Sequence, residues 1–223
     1  MAQDNDSFIR EVNEELRSDQ FRGAWSRYGK IVIGVAVVIV LATAGHRTYV
    51  YWEGHNASAS GDRFLAALKL AGENKPDEAL AAFEALAQDG TGSYPVLARM
   101  RSASVLAEKG DIAGAAAAFS GIAKDGSAPE AVRDVARLRG AWLLIDTGTY
   151  EQVSAEAEVL TGASHALRNS AREALGLSAY KAGDMVRSKE WFQAIADDAT
   201  APRNVTSRAQ IMLDNIAASG KAP

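Results

Sequence analysis

The chain has 223 residues, a formal net charge of −4 and a sequence pI near 5.5. This acidic balance argues against a nucleic-acid-binding protein, and a content of 48% hydrophobic and 23% charged residues excludes disorder throughout the chain. Cysteine is absent, which excludes disulfides, thiolate metal sites and a cysteine nucleophile. Because the sequence is rich in alanine and contains only 5 prolines, we predict an all-α fold.

Residues 1–29 precede the most apolar part of the chain and are predicted to form a cytoplasmic amphipathic segment. Phe8, Val12 and Leu16 follow the spacing of one helical face. Charged residues of both signs surround this face. The pattern leaves two interpretations open: a solvated helix, or a helix that docks on the membrane surface or on a partner.

Residues 30–52 are predicted to form a transmembrane helix. The stretch 31–45 carries no charge, and aromatic residues flank the apolar region at both ends. Extended to Trp52, the helix would rise about 33 Å, close to the thickness of the hydrocarbon core. A buried core helix and a signal peptide are the alternatives. The long acidic segment in front of the apolar stretch argues against a cleaved signal, because signal peptides begin with short basic regions.

The basic residues around this helix predict its orientation. More of them lie on the N-terminal side (Arg17, Arg22, Arg27 and Lys30) than on the C-terminal side (Arg47 and Arg63). By the positive-inside rule the N-terminus is then cytoplasmic, and the C-terminal part is exported. We therefore predict a single-pass type II protein, in the inner membrane if the cell is Gram-negative, with a linker over residues 53–60 and a periplasmic domain over 61–220.

One face of the predicted transmembrane helix carries small and medium-sized residues, namely Gly34, Val38, Leu41 and Gly45. Small residues let transmembrane helices approach one another closely. This face is either a packing surface for a partner helix or part of a plain lipid-facing tether.

The exported part repeats with a period of about 36 residues, close to the 34 residues of a tetratricopeptide repeat. The repeats begin at Asn74, Gly110, Gly148 and Gly183. Nine positions after the start of the repeat, the first, second and fourth repeats have phenylalanine. The third repeat has Ala157 at this position. We predict that these phenylalanines form the repeat core and that Trp142 or Tyr150 fills the third slot; the phenylalanines are Phe83, Phe119 and Phe192.

Each repeat is predicted to contain two antiparallel helices that stack into an α-solenoid. A capping box from Ser127 to Glu130 is predicted at the start of the fifth helix of this part of the chain. A last helix over 202–218 would cap the solenoid. The predicted pairs are 61–72 with 76–88, 94–109 with 111–124, 129–146 with 149–161, and 166–182 with 184–197.

No pattern of catalytic or metal-binding residues emerges. The three histidines are isolated from one another, and phosphate-binding loops and nucleophile elbows are absent from the sequence. We therefore expect a non-enzymatic protein with no cofactor, no metal, no small-molecule substrate and no nucleic-acid partner. Three aromatic residues are candidates to line a peptide groove, although helical spacing also suits core positions; they are Trp142, Tyr180 and Trp191.

The order of these parts, with the segments SFIREVNEELRSDQFRGAWSRYG and REALGLSAYKAGD…KEWFQAIADD, resembles the YfgM-like proteins. These are tetratricopeptide-repeat proteins of proteobacteria that are ancillary subunits of the SecYEG translocon. The resemblance implies a type II inner-membrane protein that associates with the Sec translocon and a membrane-anchored periplasmic chaperone and helps hand over exported chains. The alternative is a structural adaptor of another cell-envelope complex, such as the cell-division or outer-membrane assembly machinery.

Overall fold

The computed structural model describes the backbone of residues 3–221 and the side chains of residues 25–52 and 57–221. This described part consists of nine α-helices and one short 3₁₀ helix, without a strand. The all-α prediction is therefore confirmed. The chain divides into two compact units, 1–56 and 57–223.

The first helix, α1 (Gln3–Gly72), is 70 residues long. The predicted amphipathic face of residues 8–16 lies outside the described side chains. Residues 53–60, predicted as a linker, are helical. This follows from their composition, since they contain no proline to interrupt the helix and only one glycine, Gly54.

In the first unit, almost all described side chains of α1 are exposed. The exception is Gly29, which is buried beneath the indole of Trp25. Among the described residues, the stretch Trp25–Gly72 is long and apolar enough to cross a membrane. Only 6% of its most apolar segment of 18 residues is buried. Such exposure does not fit the alternative of a buried core helix.

The second unit is built from short helices joined by tight connections. After the end of α1 they are α2 (Pro76–Asp89), α3 (Tyr94–Glu108), α4 (Ile112–Lys124), α5 (Glu130–Thr147), α6 (Tyr150–Ala157), a 3₁₀ turn (Glu158–Leu160), α7 (Arg168–Lys181), α8 (Met185–Ala196) and α9 (Arg203–Ser219). Each helix from α2 onward packs against the next, and α5 and α9 also contact α7.

The connections within the helix pairs show why the repeats begin with asparagine or glycine. Asn74, Gly110 and Gly183 have φ of 61°, 88° and 80°, a left-handed conformation that reverses the chain between two helices. The third repeat differs, because Gly148 has a φ of −96°. Its second helix begins instead with a capping box between Thr149 and Gln152.

The capping box predicted from Ser127 to Glu130 is wrong. Pro129 is the N-cap of α5 and makes no side-chain cap hydrogen bond. Ser127 instead donates from its backbone N–H and from Oγ to Oδ1 of Asp125, at 2.9 and 2.6 Å. The other carboxylate oxygen of Asp125, Oδ2, accepts a hydrogen bond from Nη1 of Arg99 of α3.

The hydrophobic core runs through the second unit as four successive clusters. Phe83, Phe119 and Phe192 are at most 2% exposed and belong to three different clusters. In the third repeat Ala157 is also fully buried, and Tyr150 packs against its cluster together with Leu144 and Trp191. Of the two residues predicted to fill this slot, Tyr150 lies at the cluster, whereas Trp142 lines a surface cavity.

Candidate functional site

A surface cavity of about 470 Å³ opens where α5, α7 and α9 meet. We call it the α5/α7/α9 groove. Its outer wall contains two exposed apolar side chains, Trp142 on α5 (38% exposed) and Ile211 on α9 (59% exposed). The groove is lined by Trp142, Glu173, Leu177, Arg208, Ile211 and Met212.

An ion pair joins two walls of the groove. Nε and Nη2 of Arg208 donate to Oε1 and Oε2 of Glu173, at 2.5 and 2.7 Å. The Glu173 side chain is only 5% exposed, while that of Arg208 is 50% exposed. The pKa of the Arg208 guanidinium is raised, mainly because the guanidinium donates hydrogen bonds to Glu173. Both charged groups of the lining therefore neutralise each other.

The three candidate groove aromatics do not lie together. Trp142 lines the α5/α7/α9 groove. Tyr180 is partly buried against the cluster formed by α8 and α9. Trp191 is partly buried against the third-repeat cluster, and its Nε1 donates to the hydroxyl of Tyr150 at 3.0 Å. The guanidinium of Arg187 lies 4.4 Å from the centre of the same tyrosine ring, so Trp191 and Tyr150 belong to a contact between α8 and α6.

Of the six residues that line the groove, sequence reasoning identified only Trp142 as a candidate site residue. It missed the other five, which are Glu173, Leu177, Arg208, Ile211 and Met212. Two signals were available. Glu173 is a carboxylate on the buried face of α7, where an acidic residue needs a cationic partner. Ile211 lies off the buried stripe of α9, so a large apolar side chain had to be exposed there.

A second cavity, of about 500 Å³, lies among α2, α3 and α4. Its lining includes small residues of α4, such as Ala118 and Gly121, and the polar groups of Glu84, Arg99 and Ser102. Arg99 is engaged there by Asp125. One wall of this cavity is therefore formed by small residues of α4, and the charge of Arg99 in its lining is already paired with Asp125.

Similar ion pairs link the two helices of three repeats. An arginine on the first helix pairs with an aspartate at the end of the second helix, as in Arg63–Asp89, Arg99–Asp125 and Arg168–Asp198. In the third repeat the order is reversed: Asp134 on α5 contacts Nε2 of His165 after the 3₁₀ turn, at 3.2 Å. Since the N–H of Leu167 donates to Nδ1 of His165, this histidine also supports the start of α7.

The predicted packing face of the apolar helix is exposed. A Cβ added at Gly34 or Gly45 would meet nothing within 4 Å, and Val38 and Leu41 are 64% and 66% exposed. These four positions recur every three or four residues and so share one face of α1.

Among the described residues, no group of three or more histidine, aspartate or glutamate side chains is placed to hold a metal ion. The stacked helix pairs, their shared phenylalanine position and the open groove define a helical-repeat scaffold, a class that presents surfaces to other proteins.

The sequence model of the family described as "Tetratricopeptide repeat-like domain" matches residues 22–218. The chain therefore belongs to this tetratricopeptide repeat-like family. The match begins ahead of the apolar helix and extends to the last turn of α9. No curated protein and no solved structure matches the chain. Repeats of this kind are typically non-enzymatic scaffolds for protein–protein interaction.

Proposed function

We propose that this protein is a membrane-anchored binding scaffold, an ancillary subunit of the Sec translocon that helps hand exported proteins to a membrane-anchored periplasmic chaperone. The observation that carries the proposal is the combination of two surfaces in one chain. One is the exposed apolar stretch of α1, and the other is the open, largely apolar α5/α7/α9 groove of the repeat unit. A tethered scaffold needs both an anchor and a binding surface.

In this proposal residues 30–52 span the inner membrane, residues 1–29 are cytoplasmic, and 61–220 form the periplasmic repeat domain. The excess of arginine and lysine before the span supports this type II orientation. Exposed aromatic residues near both ends of the apolar stretch, Tyr28 and Tyr49, suit the two membrane interfaces.

The absence of cysteine makes the orientation directly testable. Single cysteines at Ser18 and Ser127 are labelled in intact spheroplasts with a membrane-impermeant maleimide. We expect labelling of the variant at 127, which lies in an exposed loop, and labelling at 18 only after permeabilisation. A mature protein that begins after the apolar stretch would contradict the anchor.

The translocon assignment rests on the resemblance of the N-terminal segment and the last repeat to the YfgM-like proteins. Its test is photocrosslinking in living cells from Ile211, in the groove, and from Val186, an exposed valine of α8 outside the groove lining. We expect crosslinks from position 211 to translocon subunits, an envelope chaperone or exported chains, and none of these from position 186. Crosslinks only to cell-division or outer-membrane assembly proteins would favour the alternative role as an adaptor of another complex.

A further inference from the structure

We propose that the cavity among α2, α3 and α4 binds small aromatic molecules that carry a cationic amine. We call it the α2/α3/α4 cavity. It opens between the second helices of the first two repeats, α2 and α4, and α3 forms its third wall. Its volume of about 500 Å³ lies within the range of ligand-binding sites, about 300–1,000 Å³.

The cavity is open because α4 carries a small residue where the later second helices carry large ones. Eight positions after the start of the repeat, the second repeat has Ala118, whereas the third has Glu156 and the fourth has Trp191. Glu156 accepts a hydrogen bond from Ser120 of α4 at 2.6 Å, and Nε1 of Trp191 donates to the hydroxyl of Tyr150 of α6 at 3.0 Å. Both side chains therefore bridge to the second helix of the preceding repeat, and Ala118 is too short to do so.

Gly121 adds to the open space. A Cβ atom at this position would meet nothing within 4 Å, while the third repeat has Val159 at the equivalent position, eleven after its start. The apolar part of the lining is completed by Leu80, Phe83, Leu106 and Ile122. The indole of Trp191, which packs against the third-repeat cluster, shows which kind of group fits between successive second helices. A flat apolar ring that enters the α2/α3/α4 cavity would likewise be removed from water.

The charged residues of the lining favour a cation. They are Glu84 and Arg99, and Arg99 is already paired with Asp125. Glu84 forms no ion pair or hydrogen bond with any residue that the structure describes, so the three groups together carry one net negative charge. Arg99 keeps N–H groups that Asp125 does not use, but an anion bound to them would be repelled by both carboxylates. A cation beside Glu84 gains an unpaired counter-charge.

Shape and charge make different contributions to binding. Glu84 is exposed, so water screens its attraction for a cation, and an ion pair in such a place adds little to affinity. Affinity should therefore come mainly from the apolar ring, and the carboxylate should select among ligands that share this ring.

The test compares three indoles that carry side groups of different charge. Tryptamine is a cation, indole-3-acetamide is neutral and indole-3-acetate is an anion. Their binding to the full-length protein in nanodiscs of zwitterionic lipid is measured by saturation-transfer NMR, with empty nanodiscs as the reference. We expect tryptamine to bind with a dissociation constant on the order of 1 mM, about threefold more tightly than the amide. The acetate should bind most weakly.

Two variants examine charge and shape separately. Glu84→Gln should weaken tryptamine binding about threefold, to the level of the amide. Glu78→Gln is its matched control, because Glu78 is also an exposed glutamate of α2 but lies outside the lining. Gly121→Val places a side chain in the cavity and should weaken the binding of all three indoles at least about tenfold. Its control is Ala113→Val, at an exposed position of α4 outside the lining. Both controls should bind like the unaltered protein, and circular dichroism checks that each variant is folded.

The inference would be overturned if indole-3-acetate bound as tightly as tryptamine, if Glu78→Gln caused the same loss as Glu84→Gln, or if a folded Gly121→Val variant bound all three indoles unchanged. It would also be overturned if no indole bound beyond the level of empty nanodiscs. A homodimer that Gly121→Val dissociates would overturn it as well, because a second copy would then cover the cavity. None of these results bears on the translocon assignment, which is tested by crosslinks from Ile211 on a different surface.

Discussion

Gly176 on α7 lies so close to Phe192 on α8 that a Cβ atom at position 176 would be 2.9 Å from two carbons of the phenylalanine ring. Both residues are buried. The buried hydroxyl of Ser188, also on α8, donates to the carbonyl oxygen of Gly176 at 2.8 Å. The fourth repeat therefore depends on a close approach of its two helices that a side chain at position 176 would prevent.

Gly176→Ala should lower the free energy of unfolding by about 1–3 kcal/mol, the usual cost of overpacking a core. The loss should appear even though alanine favours a helix over glycine by about 1 kcal/mol. Gly140→Ala is the matched control, because a Cβ there would contact Phe119 Cβ at an ordinary 3.5 Å. It should leave stability unchanged or raise it. Thermal unfolding followed by circular dichroism distinguishes them, and two equal effects would refute the close-packing argument.

The shared phenylalanine position should carry much of the stability of the repeats. Phe83→Ala, Phe119→Ala and Phe192→Ala each remove a fully buried ring and should cost about 3–5 kcal/mol. Val159→Ala, at a position 62% exposed, should change stability by less than about 0.5 kcal/mol. Melting temperatures of the four variants test this. If all three phenylalanine variants melt like the unaltered protein, the repeat register is wrong.

The third repeat should not accept the residue that the other repeats have at this position. Ala157→Phe places a ring in a slot with no exposed surface, against a cluster that Tyr150, Leu144 and Trp191 already cover. Overpacking should lower the free energy of unfolding by about 1–3 kcal/mol. Urea unfolding measures it, and a stabilised variant would mean that the third repeat contains a void. Ala157→Ser, a small change, controls for substitution at the site itself.

The recurrence of phenylalanine and the glycine-led turns made the helix pairs predictable from sequence, because both act within one repeat. Interactions between repeats were not predictable in the same way. Glu173 and Arg208 lie 35 residues apart and meet only because α9 returns to contact α7. The predicted role of Ser127 failed for a local reason, because its backbone N–H and hydroxyl donate to Asp125 two residues earlier in the chain.

Two aspartates should make the fold sensitive to acid. Hydrogen bonds from Ser127, and then from Arg99, lower the pKa of Asp125 to about 2. Hydrogen bonds from Arg168, Thr200 and Asn169 hold the pKa of Asp198 well below its usual range. In an unfolded chain an aspartate titrates near 3.9, so each carboxylate stabilises the fold above about pH 4. That stabilisation is lost as the pH falls through the lower folded values.

Unfolding measured from pH 6 down to pH 2 should therefore show stability falling below about pH 4. Asp125→Asn and Asp198→Asn should each be less stable at pH 6 and lose less stability on acidification. Asp62→Asn, at an exposed position of α1, controls for the loss of one negative charge. An unchanged pH profile in both variants would show that these hydrogen bonds do not contribute to stability.

The last prediction separates the anchor from the groove. In the proposed membrane span, Gly34, Val38, Leu41 and Gly45 form an exposed face on which a neighbouring transmembrane helix could pack closely. Replacing residues 31–52 with an unrelated apolar helix should weaken the co-isolation with the translocon, in mild detergent, that the proposed function expects. Crosslinks from Ile211 in the groove to a periplasmic partner should not change. A second replacement that keeps only these four residues in the unrelated helix should restore co-isolation. If both replacements co-isolate as well as the unaltered protein, the helix is a tether alone, and recognition must come from the repeat unit or from the N-terminal segment.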